Sequence, residues 1–182
     1  MDLKSALTMM TRFLVLLCLT VGAFLTVLPA LTKEPVTVVY IVRHAEKDLT
    51  PGLADPALTS AGEARALALR KQLQRRRPAA LFTTDTKRTR STLAPLAQAT
   101  KLTPEVYDAR QPAALAERIR REHAGEPVVV VGHSNTLLPL IEALGAKSPI
   151  SEIKDSEYHY LFEVRIPASG AAVAKVSSYG AH

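Results

Sequence analysis

The sequence predicts an α/β protein, a three-layer α/β/α sandwich on a mostly parallel sheet. Three observations carry that prediction. Short apolar runs at 36–42, 79–83 and 128–131 alternate with helical patterns. The four consecutive valines at 128–131 leave no polar face, as in a strand covered on both sides. From residue 33 onward there is no repeat and no long linker, so one domain with its own core accounts for residues 33–182.

The first 32 residues stand apart. Lys4 and Arg12 precede an uncharged stretch at 13–32 that ends at Lys33. About 20 apolar residues suffice to cross a hydrocarbon core. Positive charge ahead of such a stretch holds the N-terminus in the cytoplasm and sends the rest across. The expectation for residues 1–32 is a signal peptide or an N-terminal membrane anchor. The domain would then lie in the bacterial periplasm, secreted or anchored to the inner membrane through residues 13–32. Pro29-Ala30 sits near a cleavage position, although Leu28 is a poor match to a small residue there. Cys18, the one cysteine, falls in this segment after a bulky Leu17 that does not suit lipid attachment. The domain has no thiol, which excludes an internal disulfide and a cysteine nucleophile.

The elements follow in order. Residues 36–42 form a strand. Residues 59–74 form a helix with Ala64, Leu67, Ala68 and Leu73 near helical spacing and a capped start at Thr59. After Pro78 comes a strand at 79–83, then a helix at 86–99 in which Pro95 implies a kink or an early end. A short strand at 105–107 leads to a helix at 112–123 with Pro112 in its first turn. The valine strand precedes a helix at 135–144, which stops before Gly145. Residues 158–166 and 171–177 make a closing hairpin.

Composition narrows the function. The chain is 47% hydrophobic and 22% charged, with a net charge of +6. That is a globular profile. The densest basic run, 75–77, ends a helical pattern, where cations are favoured, and does not read as a nucleic-acid arm. No nucleic-acid partner is expected.

The candidate site comes from the strand ends. Ligands of open α/β sheets sit beyond the carboxyl ends of the strands. Arg43-His44 ends the first strand, Gly132-His133-Ser134 ends the valine strand, and Arg88 opens a helix just after another strand. Two arginines and two histidines in one crevice repel one another unless an anion neutralises them. Phosphate is the economical anion, because guanidinium forks match its oxygens. Other readings of the same residues stay open. "VVGHSNT" is close to a nucleophile elbow, which would make Ser134 a serine-hydrolase nucleophile, but Thr136 stands where the closing Gly belongs. A metal site from His44, Glu46 and His133 would place Arg43 against the ion. A phospho-ligand binding module without turnover is the non-enzymatic alternative. Ser134 otherwise reads as the cap of its helix, and Glu46 with Lys47 as an exposed pair.

The segments RHAEK at 43–47, DPALTSAGEARALAL at 55–69, FTTDTKRTRSTLAPLA at 82–97 and VVVVGHSNT at 128–136 resemble the histidine phosphatase superfamily, which is phosphoglycerate mutase-like. More narrowly they resemble its small exported members with Arg-His-Ala-Glu-Lys. The resemblance spans nearly all of residues 36–166. It implies that His44 is the nucleophile and carries a phosphohistidine intermediate. It implies that Arg43, Arg88 and His133 hold the phosphoryl oxygens. It also implies that a Glu or Asp between the second and third motifs donates a proton, with Asp108 the best match and Glu105 a poorer one. No metal and no cofactor are implied, since arginine and histidine supply the positive charge. The implied partner is a phosphorylated substrate: a small molecule, an envelope glycan or a phosphoprotein. The family's Asn six residues after the nucleophile is Thr50 here, and its Ala after the second motif is Leu93. The short loops suit hydrolysis better than a mutase, which shields its intermediate under a larger lid.

Overall fold

The two most valine-rich runs of the domain become adjacent central strands. The computed structural model describes residues 34–181 together with Asp2 and Lys4. The expected signal or anchor segment therefore lies, those two residues aside, outside the described residues. The elements are β1 (Val36–Arg43), α1 (Ser60–Leu73) continuing into a 3₁₀ turn (Gln74–Arg76), β2 (Ala80–Thr83), α2 (Lys87–Thr100), β3 (Glu105–Val106), α3 (Pro112–Glu122), β4 (Pro127–Gly132), α4 (Ser134–Ala143), β5 (Tyr160–Pro167) and β6 (Val173–Ser178).

The strands form one six-stranded sheet in the order β3-β2-β4-β1-β5-β6. β3, β2, β4 and β1 are parallel, and β5 and β6 add an antiparallel hairpin at one side. Side chains alternate across the pleat, so one strand feeds two cores. Val39, Ile41, Val128 and Val130 pack with Leu115, Ile119, Leu137 and Ile141 of α3 and α4. Tyr40, Val42, Val129 and Val131 pack on the other face with Leu69, Leu73, Leu93 and Leu96 of α1 and α2. The three-layer sandwich expected from the sequence is the architecture observed.

Three local expectations are corrected. The buried stripe of α1 is Gly62, Arg65, Ala66, Leu69 and Leu73, while Ala64 and Leu67 face solvent. Alanine-rich helices carry little phase information, and here an arginine belongs to the inner face. Pro95 neither ends nor shortens α2, which runs to Thr100. The carbonyl that Pro95 leaves unpaired belongs to Ser91, an exposed residue, where water can satisfy it. The closing hairpin starts at Tyr160, so Tyr158 stands ahead of it in a loop.

Gly62 sets how closely α1 approaches the loop after β1. A Cβ there would overlap the Glu46 carbonyl oxygen, which also accepts the Thr59 N–H at 2.9 Å. Gly62→Ala should therefore push α1 off this loop. The expected loss is about 1–3 kcal/mol in denaturant unfolding, the usual cost of overpacking; an unchanged midpoint would show that the helix shifts freely.

Candidate active site

β1 and β4 pair in parallel, and the pairing runs to Arg43 opposite Gly132. Both strands end at that rung. The His44 N–H still donates to the Gly132 carbonyl at 2.9 Å, so the residues that leave the sheet are His44 and His133, side by side. Their ring centroids lie 5.5 Å apart, edge to face. His44 is only 3% exposed.

Hydrogen bonds fix both rings. His44 Nδ1 lies 2.8 Å from the Ala45 carbonyl oxygen. A carbonyl only accepts, so Nδ1 carries the proton and Nε2 keeps its lone pair. Nε2 makes no hydrogen bond among the described residues. His133 Nε2 lies 2.9 Å from Thr84 Oγ1, which lies 3.0 Å from Thr89 Oγ1. Thr89 Oγ1 donates to the Thr84 carbonyl, so it accepts from Thr84, and Thr84 accepts from His133 Nε2–H. Burial, reinforced by Arg43, Arg88 and the other histidine, lowers His44 to about 3, against the pull of its Ala45 hydrogen bond. Burial and then Arg88, Arg43 and Lys47 lower His133 to about 4. Both rings are neutral at physiological pH.

The two arginines are held from outside the crevice. Arg43, 5% exposed, donates from Nη1 to the carbonyls of Lys154, Asp155 and Glu157 at 2.9, 3.0 and 3.1 Å. Its guanidinium lies 4.2 Å from the Tyr158 ring centroid, and that ring stands 5.9 Å from His44. Arg88 sits in the first turn of α2, whose N-cap Thr86 accepts from the Thr89 N–H. Asp55 takes the Lys87 N–H at 3.0 Å and lies 3.6 Å from Arg88 Nη1. Arg43 Nε and Arg88 Nε are buried without an acceptor among the described residues. An unpaired buried donor is costly, and an anion between these side chains would supply the missing acceptors.

The structure brings Arg43, His44, Arg88 and His133 together as expected. Asp108 is tied into its own loop. Its carboxylate accepts from Arg110 Nε and Nη2 and from the Arg110 N–H, each at 3.0 Å. Those bonds hold it down at about 2, as a carboxylate. Glu105 pairs with Arg118. Glu46 is no exposed partner of Lys47: burial pushes its carboxyl up, but two-pronged hydrogen bonds from the buried Arg65, at 2.7 to 3.0 Å, outweigh that and hold it ionised. Arg65 also ties down the Tyr179 and Ala181 carbonyls at 2.8 Å. Ser134 is the first residue of α4 and not its cap; Thr136 Oγ1 accepts the His133 N–H instead.

Sequence reasoning missed Thr84, Thr89, Asp55, Arg65 and Tyr158. The threonines could have been suspected, since the second motif carries them at 83, 84, 86, 89 and 92 and Thr92 Oγ1 accepts the Ala45 N–H in the loop after β1. Nothing local marks Tyr158.

Residues 39–111 match the sequence model of the histidine phosphatase superfamily (branch 1). Over that stretch, which holds Arg43, His44 and Arg88, the chain is similar to this superfamily. The match ends before β4, so the placement of His133 beside His44 comes from the fold. No curated protein matches the chain in sequence. Solved structures with the same fold include a mycobacterial glucosyl-3-phosphoglycerate phosphatase, 17% identical with a TM-score of 0.63, covering 81% of this chain and all of that one. The protein histidine phosphatase SixA, complexed with tungstate, is 19% identical with a TM-score of 0.62, over 78% of this chain and 96% of its own. A putative phosphohistidine phosphatase SixA from Agrobacterium tumefaciens is 21% identical with a TM-score of 0.57, over 80% of this chain and 99% of its own.

The neutral histidines make stability pH-dependent. An unfolded imidazole titrates near ~6.5, so each must shed a proton to fold below that pH. Their contribution is complete above pH ~6.5 and is lost as the pH falls toward the folded values near 3 and 4. Each histidine adds a slope of up to about 1.4 kcal/mol per pH unit in that window, less for the more exposed His133. Urea unfolding at pH 7 and pH 5 should show the fall, and a His44→Gln, His133→Gln double variant should flatten it. Equal slopes would mean the rings are not held neutral.

Proposed function

We propose that the protein is a phosphatase that hydrolyses phosphomonoesters or phosphoprotein through a phosphohistidine on His44. The match of residues 39–111 to the superfamily model supports phosphatase chemistry. The observation that carries the finer reading is the pairing of a neutral His44, whose Nε2 lone pair has no partner in the protein, with the two buried and unpartnered guanidinium N–H groups of Arg43 and Arg88.

In this reading His44 Nε2 attacks phosphorus and the bond from phosphorus to the leaving group breaks, its electron pair departing on the leaving atom, while Nδ1–H stays on the Ala45 carbonyl and steadies the charge that the ring gains. Arg43 and Arg88 spread the charge of the equatorial oxygens. Phosphoryl binding places negative charge beside His133 and raises its pKa. The protonated ring then offers a second N–H to a phosphoryl oxygen or the leaving group. Water attacks the phosphohistidine from the open side and releases phosphate. Glu46, Asp55, Asp108 and Asp155 are each paired with an arginine, which favours substrates whose leaving group needs no strong acid. A phosphoramidate such as phosphohistidine meets that condition, and so does an activated ester. The uncharged stretch 13–32 supports export, so the reaction would take place outside the cytoplasm.

The serine-hydrolase reading loses its base, since among the described residues no histidine hydrogen-bonds Ser134 and His133 Nε2 is engaged by Thr84. Purified protein with para-nitrophenyl phosphate and EDTA should release phosphate. Rapid quenching should trap protein phosphate that is acid-labile and alkali-stable. Both should vanish in His44→Ala, while Arg43→Ala and Arg88→Ala should each lose on the order of 10²–10³ in kcat/KM. Ser134→Ala should keep most of the activity. Retained turnover in His44→Ala would overturn the assignment, and absence of turnover in the wild type with phosphate still raising Tm would favour a binding module.

A further inference from the structure

A cavity of about 750 Å³ opens between α4 and the segment 147–153, with Ser134, the residue after His133, in its lining. Its volume is that of a small-ligand or side-chain site. Both of its walls lead to the proposed phosphoryl-binding groups. Ser134, at one end, follows His133 directly. Ile153, at the other, precedes Lys154 and Asp155, whose carbonyls hold Arg43. A substrate that extended past His133 along α4 would meet this cavity first at Ser134.

The lining indicates what that group is. Leu138, Pro139, Ile150 and Ile153 supply an aliphatic surface, and the lining contains no aromatic ring. Glu142 and Glu152 outnumber the one ammonium, Lys147, in a chain whose net charge is +6. A second anionic group on the substrate, such as the carboxylate of a phosphorylated acid or a further phosphate, would meet two carboxylates there and be repelled. A sugar would lack the aromatic platform on which its apolar face packs. A polypeptide offers what the lining matches: aliphatic side chains for the middle and a lysine or arginine for the two glutamates.

We propose that this cavity, which takes its meaning from the phosphatase reading, binds the polypeptide flank of a phosphorylated side chain, with preference for an aliphatic and a basic residue beside it. The phosphoryl group would lie on His44, Arg43, Arg88 and His133, and the flank along α4 toward Glu142.

The full chain would be assayed on short phosphohistidine and phosphoserine peptides flanked by Leu and Lys, on the same peptides flanked by Leu and Asp, on a glycosyl phosphate, and on para-nitrophenyl phosphate. The basic-flank peptide should exceed the acidic-flank peptide in kcat/KM by about tenfold or more. A Glu142→Lys, Glu152→Lys double variant, both changes at exposed positions, should invert that ratio. Leu138→Asp should lower the ratio of peptide to para-nitrophenyl phosphate kcat/KM, with circular dichroism to check the fold. Equal rates on the two flanks, an unchanged ratio in the double variant, or preference for the glycosyl phosphate would overturn the proposal. Turnover of para-nitrophenyl phosphate with no flank preference removes the cavity assignment alone. Absence of turnover and of acid-labile protein phosphate on all of these substrates removes the phosphatase reading with it.

Discussion

Arg43 faces Gly132 across β1 and β4, and both strands stop at that rung. Everything chemical in the molecule depends on this pairing. Parallel strands present their carboxyl ends at the same edge, so the residue after each strand emerges at the same height. A shift of one residue would send Val42 and Arg43 to opposite faces from those they now occupy, and would part His44 from His133. The register is secured by burial on both sides of the sheet, because Val128 through Val131 alternate between two filled cores.

With the histidines placed, the electrostatics follow. Four cationic or potentially cationic groups share a buried edge, and the cheapest way to tolerate that is to leave the imidazoles neutral. Desolvation does most of this work for both rings. The fold surrounds the arginines with partners on their outer sides: three carbonyls of the 154–157 loop for Arg43 and Asp55 for Arg88. Arginine's several donors allow part of the fork to be spent on positioning while Nε is left for a ligand. The same logic binds the loop after β1 from behind, where Glu46, the buried Arg65 and the Tyr179 and Ala181 carbonyls form one partly buried network. Removing one member would strand a charge in the interior, which is why such a network favours a single geometry for the loop.

Much of this was legible in the chain. The valine run, the alternation of strands with helices and the positions of Arg43, His44, Arg88 and His133 at strand ends or a helix start all depend on local pattern, and periodicity records local pattern. The inner face of α1 was misread because alanines do not mark a phase, and because Arg65 is buried by a partner 19 residues away that no window contains. Asp108 was chosen as an acid by its place between motifs, yet Arg110 two residues on engages it as a carboxylate. Tyr158 had no signal at all, since its importance lies in standing beside His44 and under Arg43, which is a relation across 114 residues.

The sequence alone thus determined the class of fold and the polar residues that close each central strand, because each is set by hydrophobic pattern or by residue type. Only the tertiary structure decided which carboxylates are already spoken for and which nitrogen of His44 keeps its lone pair. Those are matters of distance between residues far apart in the chain, and distance is created by packing.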